Sequence, residues 1–208
     1  LNELFRPFRV GNNITAANEN LDSERLTGIE AGYDLSTQHI TVKTTGYWNE
    51  IDGSIANLTI GSGPGSVDPC GFVPAGGICR QRSNLDRVRV RGVETEIVRR
   101  EKHWTGSLSY LYNDTRIRES TNAVLIGKRL PQIPQHGLVL RLSVTDGKRT
   151  SATAQVRVIG DQYEDDGNTL GLGAYHVLDL SMQHQIGKKK ETFIQVENLL
   201  NTSYSVGL

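Results

Sequence analysis

Only two cysteines occur in the 208 residues. That is too few for a disulfide scaffold or for a zinc site built on four thiolates. No apolar run reaches the roughly 18 residues that a membrane-crossing helix needs. Neither sign of charge is in excess: 23 Lys and Arg stand against 23 Asp and Glu. The chain therefore lacks the basic surplus that grips a nucleic-acid backbone. Apolar residues are scarce, 37% of the chain, where about 45–50% is usual. The five histidines, at 39, 103, 136, 176 and 184, are scattered. Neither HExxH nor GxSxG is present, so no catalytic centre, resident metal or cofactor is expected. The chain opens without Met or a signal peptide, and it reads as an internal piece or a processed product.

What is present is alternation. Ile40, Val42, Thr44, Gly46 and Trp48 interleave with Thr41, Lys43, Thr45 and Tyr47. Leu138, Leu140, Leu142 and Val144 interleave with Arg141, Ser143 and Thr145. Ala152, Ala154, Val156 and Val158 do so with Thr153, Gln155 and Arg157. A period of two residues means strands with one apolar and one polar face. It predicts about eight strands, near 24–36, 39–52, 85–99, 104–117, 137–146, 150–163, 175–186 and 191–199. Residues 1–23 show no period and are expected to be loop, and Gly61-Ser62-Gly63-Pro64-Gly65 reads as flexible loop.

Several of these strands reach the roughly 9–11 residues of a tilted membrane-crossing strand. The connections alternate, short at Ser36–Gln38, Arg100–His103, Asp146–Arg149 and Gly187–Lys190, and long at 53–84, 118–136 and 164–174. In a meander this puts every short turn at one end, as in outer-membrane barrels. The expected fold is all-β: an antiparallel up-and-down transmembrane barrel with its apolar side chains outward. A soluble barrel or sandwich with the same side chains inward has the same periodicity.

Four segments, in order, resemble the C-terminal barrel of TonB-dependent outer-membrane receptors. They are Asn18-Glu19-Asn20-Leu21 with Glu24 and Thr27-Gly28-Ile29-Glu30-Ala31-Gly32; Asn84 with Val90-Arg91-Gly92-Val93-Glu94; Gly127-Lys128-Arg129-Leu130-Pro131 with Ile133-Pro134-Gln135-His136; and Val196-Glu197-Asn198-Leu199-Leu200-Asn201 with Tyr204. The resemblance implies that residues 1–208 are a partial barrel, about eight strands of a wall of about 22, without the plug domain or the final strand. It implies a receptor, not an enzyme, in the outer membrane of a Gram-negative bacterium. Such a receptor takes up a scarce nutrient, such as a ferric siderophore, cobalamin or another metal chelate. Its partners would be that small molecule, the TonB complex acting through the plug, and outer-membrane lipid and lipopolysaccharide. Two other readings compete: a soluble β-domain binding carbohydrate, and, last, a barrel hydrolase with a Ser/His or Asp/His set on neighbouring strands.

Three features of the loops are candidates for function. Cys70 and Cys79 are expected to form a disulfide that pins the longest loop. Arg80, Arg82, Arg87, Arg89 and Arg91 gather where that loop rejoins the sheet. They would draw an anionic chelate; the plainer expectation is that they bridge lipopolysaccharide phosphates or line a wet lumen. Glu164, Asp165 and Asp166 offer hard oxygen ligands, yet no EF-hand register fits them, and a solvated acidic loop is the plainer expectation. The candidate ligand contacts are thus Arg80, Arg82, Arg87, Glu164, Asp165 and Asp166.

Overall fold

Alternating residues on long strands leave two unlike faces, and the sheet keeps them apart. A computed structural model describes residues 2–207. After α1 (Asn2–Phe5), β1 (Phe8–Val10) and β2 (Asn13–Ala16) come the long β3 (Arg25–Ser36) and β4 (Ile40–Ser62). A small hairpin, β5 (Gly65–Val67) and β6 (Gly71–Val73), leads into β7 (Ile78–Arg100) and β8 (Trp104–Glu119). A 3-10 turn at Ala123–Leu125 precedes β9 (His136–Thr145) and β10 (Thr150–Ile159). The short β11 (Gln162–Tyr163) and β12 (Gly171–Leu172) come before β13 (Tyr175–Ile186) and β14 (Lys190–Val196).

The eight long strands pair antiparallel in the order β3-β4-β7-β8-β9-β10-β13-β14. Every expected strand is there, and the four short turns share one end. Their chemistry is local: Thr37 Oγ1 accepts from the His39 and Ile40 amides. Asp146 Oδ1 accepts from the Lys148, Arg149 and Thr150 amides, at 2.8, 2.8 and 3.0 Å. The left-handed turn positions are taken by Gly147 and Gly187, which adopt positive φ without a Cβ clash.

Register fixes the faces. Directly opposed residues project to the same side, so Leu35, Val42, Ile97, Leu108, Leu140, Val156 and Leu178 form one apolar row across seven strands. Rows on the same face toward the short turns hold Leu142, Ala154, Leu180 and Val196, then Trp104, Val144, Ala152, Met182 and Ile194. This face is exposed: Leu142 is 49% and Met182 48% accessible. It is not gathered into a sealed, dry centre, as the soluble alternative requires. The opposite face carries Lys43, Glu94 and Glu96 and a row of Ser107, Arg141, Gln155 and Asp179. On that face Tyr47 lies over Gly92, where an added Cβ would meet the Tyr47 hydroxyl and the Tyr112 carbonyl oxygen.

Three expectations need correcting at the loop end. First, residues 53–84 are not simply loop. β4 and β7 stay paired as far as Ser62 and Ile78, with one irregularity between Thr59 and Gly61. The Gly-rich stretch therefore ends one strand and begins β5. Second, the opening segment is not all loop, because β1 and β2 form a hairpin and β2 runs parallel to β7, Ile14 opposite Cys79. Third, the sixth strand stops at Ile159 and the eighth at Val196. The buried core also lies at this end: Leu85, Val88, Ile117 and Leu125, flanked by Ile51, Val90 and Leu130. Residues 123–130 thus fold across the polar-side face of β7 and β8. Here the pattern inverts, since Val88 and Val90 face the loops while Arg87, Arg89 and Arg91 share the face of Val93 and Ile97.

Candidate functional site

The loop end brings together residues far apart in sequence. Arg80, near the start of β7, directs Nη1 and Nη2 at Glu164 Oε1, each at 3.3 Å. The Glu164 side chain is 2% exposed and that of Arg80 14%. The second Glu164 oxygen accepts from Gln132 Nε2 at 2.9 Å. Next to it, Asp166 accepts from the Thr59 amide at 3.1 Å and the Thr59 hydroxyl at 2.9 Å. Three connections, 53–84, 118–136 and 160–174, are thereby tied to one another.

Asp165 turns inward on its own loop. It accepts from the Thr169 amide, the Thr169 hydroxyl and the Leu170 amide, the last at 2.6 Å. Burial raises its carboxyl, but those donors outweigh burial and hold it below the usual carboxylate range. Asn168, left-handed at φ 55°, clips the same loop to Arg129, accepting its amide at 2.7 Å and donating to its carbonyl at 2.9 Å. The Arg129 guanidinium donates to Asp161 at 2.7 Å and lies over the Tyr163 ring. That hydrogen bond holds the Asp161 carboxyl below its ordinary value.

The acidic loop is therefore not solvated: Glu164, Asp165 and Asp166 are all buried. Their oxygens are spent on protein donors, which buried carboxylates require. Among the described residues no group of three or more His, Cys, Asp or Glu is arranged to hold a metal ion. Instead the arrangement makes a stiff platform. Cys70 and Cys79 are joined, with Cα atoms 6.0 Å apart, and fasten the turn of the β5–β6 hairpin to the start of β7.

Of the six candidates, Arg80, Glu164, Asp165 and Asp166 come together, while Arg82 and Arg87 lie elsewhere. Arg82 donates to the Arg6 carbonyl at 3.2 Å and sits over the Phe8 ring. Arg87 bridges Asp52 and Glu119, each at 2.9 Å. Sequence reasoning missed Thr59, Gln132 and Asp161, which belong to no motif. It quoted Arg129 only as part of a family segment.

Comparison with known proteins fits this geometry. The chain superposes on the ferric yersiniabactin uptake receptor FyuA of Yersinia pestis with a TM-score of 0.68 at 19% identity, over 88% of this chain and 26% of that one. On the copper transporter OprC the TM-score is 0.71 at 19% identity, covering 92% and 28%. On the ferric-catecholate import receptor Fiu of E. coli K12 it is 0.67 at 18% identity, covering 96% and 26%. The chain thus spans about a quarter of the length of these receptors. A search of curated proteins finds no match in sequence. The sequence model described as "TonB dependent receptor-like, beta-barrel" matches residues 1–199. The chain belongs to the family of TonB-dependent receptor β-barrels.

Proposed function

We propose that the chain is part of the wall of a larger outer-membrane barrel, a receptor that takes up a metal chelate such as a ferric siderophore with energy delivered by TonB through a plug domain. One observation carries the reading: the apolar row from Leu35 to Leu178 lies on an exposed face. Water would penalise such a face and hydrocarbon would not. The polar face then borders a wet interior, which suits passage of a hydrophilic cargo. Ligand contacts fall on the loop platform, whose shape the buried Arg80, Glu164, Asp165 and Asp166 fix, with Arg82 at its margin; Arg87, matched by Asp52 and Glu119, lies on the outward face. FyuA is a ferric yersiniabactin uptake receptor, Fiu a ferric-catecholate import receptor and OprC a copper transporter, which favours a metal chelate over a saccharide.

Two measurements test this. Nitroxide labels at Leu140 and Arg141 in the full-length receptor, in lipid, should differ. Leu140 is expected to be open to dissolved oxygen and Arg141 to an aqueous nickel complex, and the reverse pattern rejects the membrane reading. Iron-starved cells carrying the receptor should grow on at least one of a panel of ferric siderophores only when TonB is present. TonB-independent growth rejects the transport reading.

A further inference from the structure

At the end opposite the loop platform, the short turns carry charge of one sign. Three of them, residues 99–103, 146–149 and 187–191, hold eight Lys and Arg against three acids, Glu101, Asp146 and Glu191. Glu101 is taken by Arg99, at 2.9 Å, and stands 3.6 Å from His39. Asp146 is turned into its own turn, on the Lys148, Arg149 and Thr150 amides. The other seven bases are exposed: Arg100 and Lys102 in the first turn, Lys148 and Arg149 in the second, and Lys188, Lys189 and Lys190 in the third. No ion pair or hydrogen bond engages their side chains. At the loop end, by contrast, Arg80, Arg87, Arg116 and Arg129 each meet a carboxylate. Farther up the polar face Asp34 and Glu96 flank Lys43 in one row, on the strands beside the first turn and away from the other two.

The three turns form one continuous strip. The Thr145 amide donates to the His103 carbonyl, and the Gln185 amide to the Arg149 carbonyl, each at 2.9 Å. Neighbouring turns are two strands apart, about 10 Å, so the strip is about 20 Å long. Between the last two turns lies a groove of about 340 Å³, lined by Thr145, Lys148, Arg149, Gln183, Gln185 and Glu191 among others. Gln183, Gln185 and Glu191 belong to the polar face. No aliphatic or aromatic side chain lines the groove, so it offers a lipid's acyl chains nothing to lie against.

We propose that this strip docks an extended, acidic segment of a periplasmic protein. The inference rests on the membrane reading above, which puts the short turns in the periplasm. Seven unmatched cations in a line attract a line of carboxylates. An extended chain advances about 3.3–3.6 Å per residue, so about six residues span the strip. The amides of Gln183 and Gln185 and the Thr145 hydroxyl add donors for carboxylate oxygens in the groove. Glu191 is the one acid there and acts as an internal competitor.

The test uses the full-length receptor in phosphatidylcholine nanodiscs. Fluorescent glutamate peptides of three, six and twelve residues, and a six-residue glutamine peptide, are titrated and read by anisotropy. The six-residue glutamate peptide should bind at least about tenfold tighter than the three-residue or the glutamine peptide, and the twelve-residue one should gain less than about threefold more. Lys148→Gln with Arg149→Gln and Lys189→Gln should erase the preference. Glu191→Gln should tighten binding about twofold. Arg25→Gln, at the loop end, should change nothing. Equal binding of the glutamate and glutamine peptides, a further tenfold gain from six to twelve residues, or an undiminished preference in the triple variant each overturns the proposal. So does competition by soluble peptidoglycan stem peptides or by phosphatidylglycerol as strong as by the six-residue peptide. Lys189→Cys separates the two failures. In whole cells an impermeant maleimide should label it only after the outer membrane is permeabilised. That result without a peptide preference rejects the docking strip alone, whereas labelling of intact cells rejects the membrane reading as well.

Discussion

Arg80 and Glu164 stand 84 positions apart in the chain, and their side chains meet at 3.3 Å with almost no solvent around the carboxylate. Removing one member of such a pair leaves a buried charge alone, at a cost of about 3–5 kcal/mol. Glu164→Gln should therefore loosen the loop platform while the sheet stays intact. Hydrogen exchange should speed up at Thr59 and in the β11–β12 hairpin, and not in β9 or β10. Arg80→Met with Glu164→Leu should restore most of the protection, because an apolar pair has no charge to strand.

Val156 lies in the apolar row, opposite Leu140, which sits midway along β9 between Val144 and His136. Val156→Arg should destabilise the barrel in lipid vesicles by about 2–4 kcal/mol, as a charge does at the bilayer midplane. The neighbouring Gln155→Arg points to the polar face and should cost far less. Denaturant unfolding in vesicles reads both, and equal costs would contradict the assignment of faces.

The Cys70–Cys79 disulfide spans a separation of 9 residues. Loop entropy assigns such a closure about 3 kcal/mol. Replacing both cysteines by serine should raise amide exchange across β5 and β6. The pairing of β4 with β7 below Gly53 should not respond.

The Asp146 carboxyl is held well below the usual carboxylate range by the Thr150, Lys148 and Arg149 amides. The sign follows from linkage. A depressed folded-state value contributes stability that is present above the unfolded value of about 3.9 and disappears as pH falls through the folded one. Asp165 acts the same way, with burial opposing and its loop donors prevailing. Protection of the 146–150 turn should be flat from neutral pH to about 4 and fall only in stronger acid. In Asp146→Ala protection should be low throughout, as amide exchange at Lys148 and Arg149 will report.

The eight strands were legible because each obeys its own alternation, and two of the four turns because Asp146, Gly147 and Gly187 are strong local signals. The loop end was not legible in this way. Asn13-Ile14-Thr15-Ala16 is too short to show a period, and its partners Cys79 to Gln81 are chosen by proximity in space. The upper halves of β4 and β7 hide their pattern at Gly53, whose φ of 68° interrupts the alternation. Glu164 and Asp166 look solvated in one dimension because their donors are distant in the chain: Arg80 in β7, Gln132 in the connection before β9, and Thr59 in β4. The Arg-Val-Arg-Val-Arg run did reveal a one-sided basic strand. Its outward direction needed the register with β8.

Among the long strands, each bonds to the long strands just before and just after it in the chain. A sheet wired this way can be extended one hairpin at a time, in the order of synthesis, without threading a late segment between earlier ones. Its unsatisfied edges at every stage are only the first strand and the newest. For the membrane wall proposed above, such sequential growth would confine the unpaired backbone to two edges.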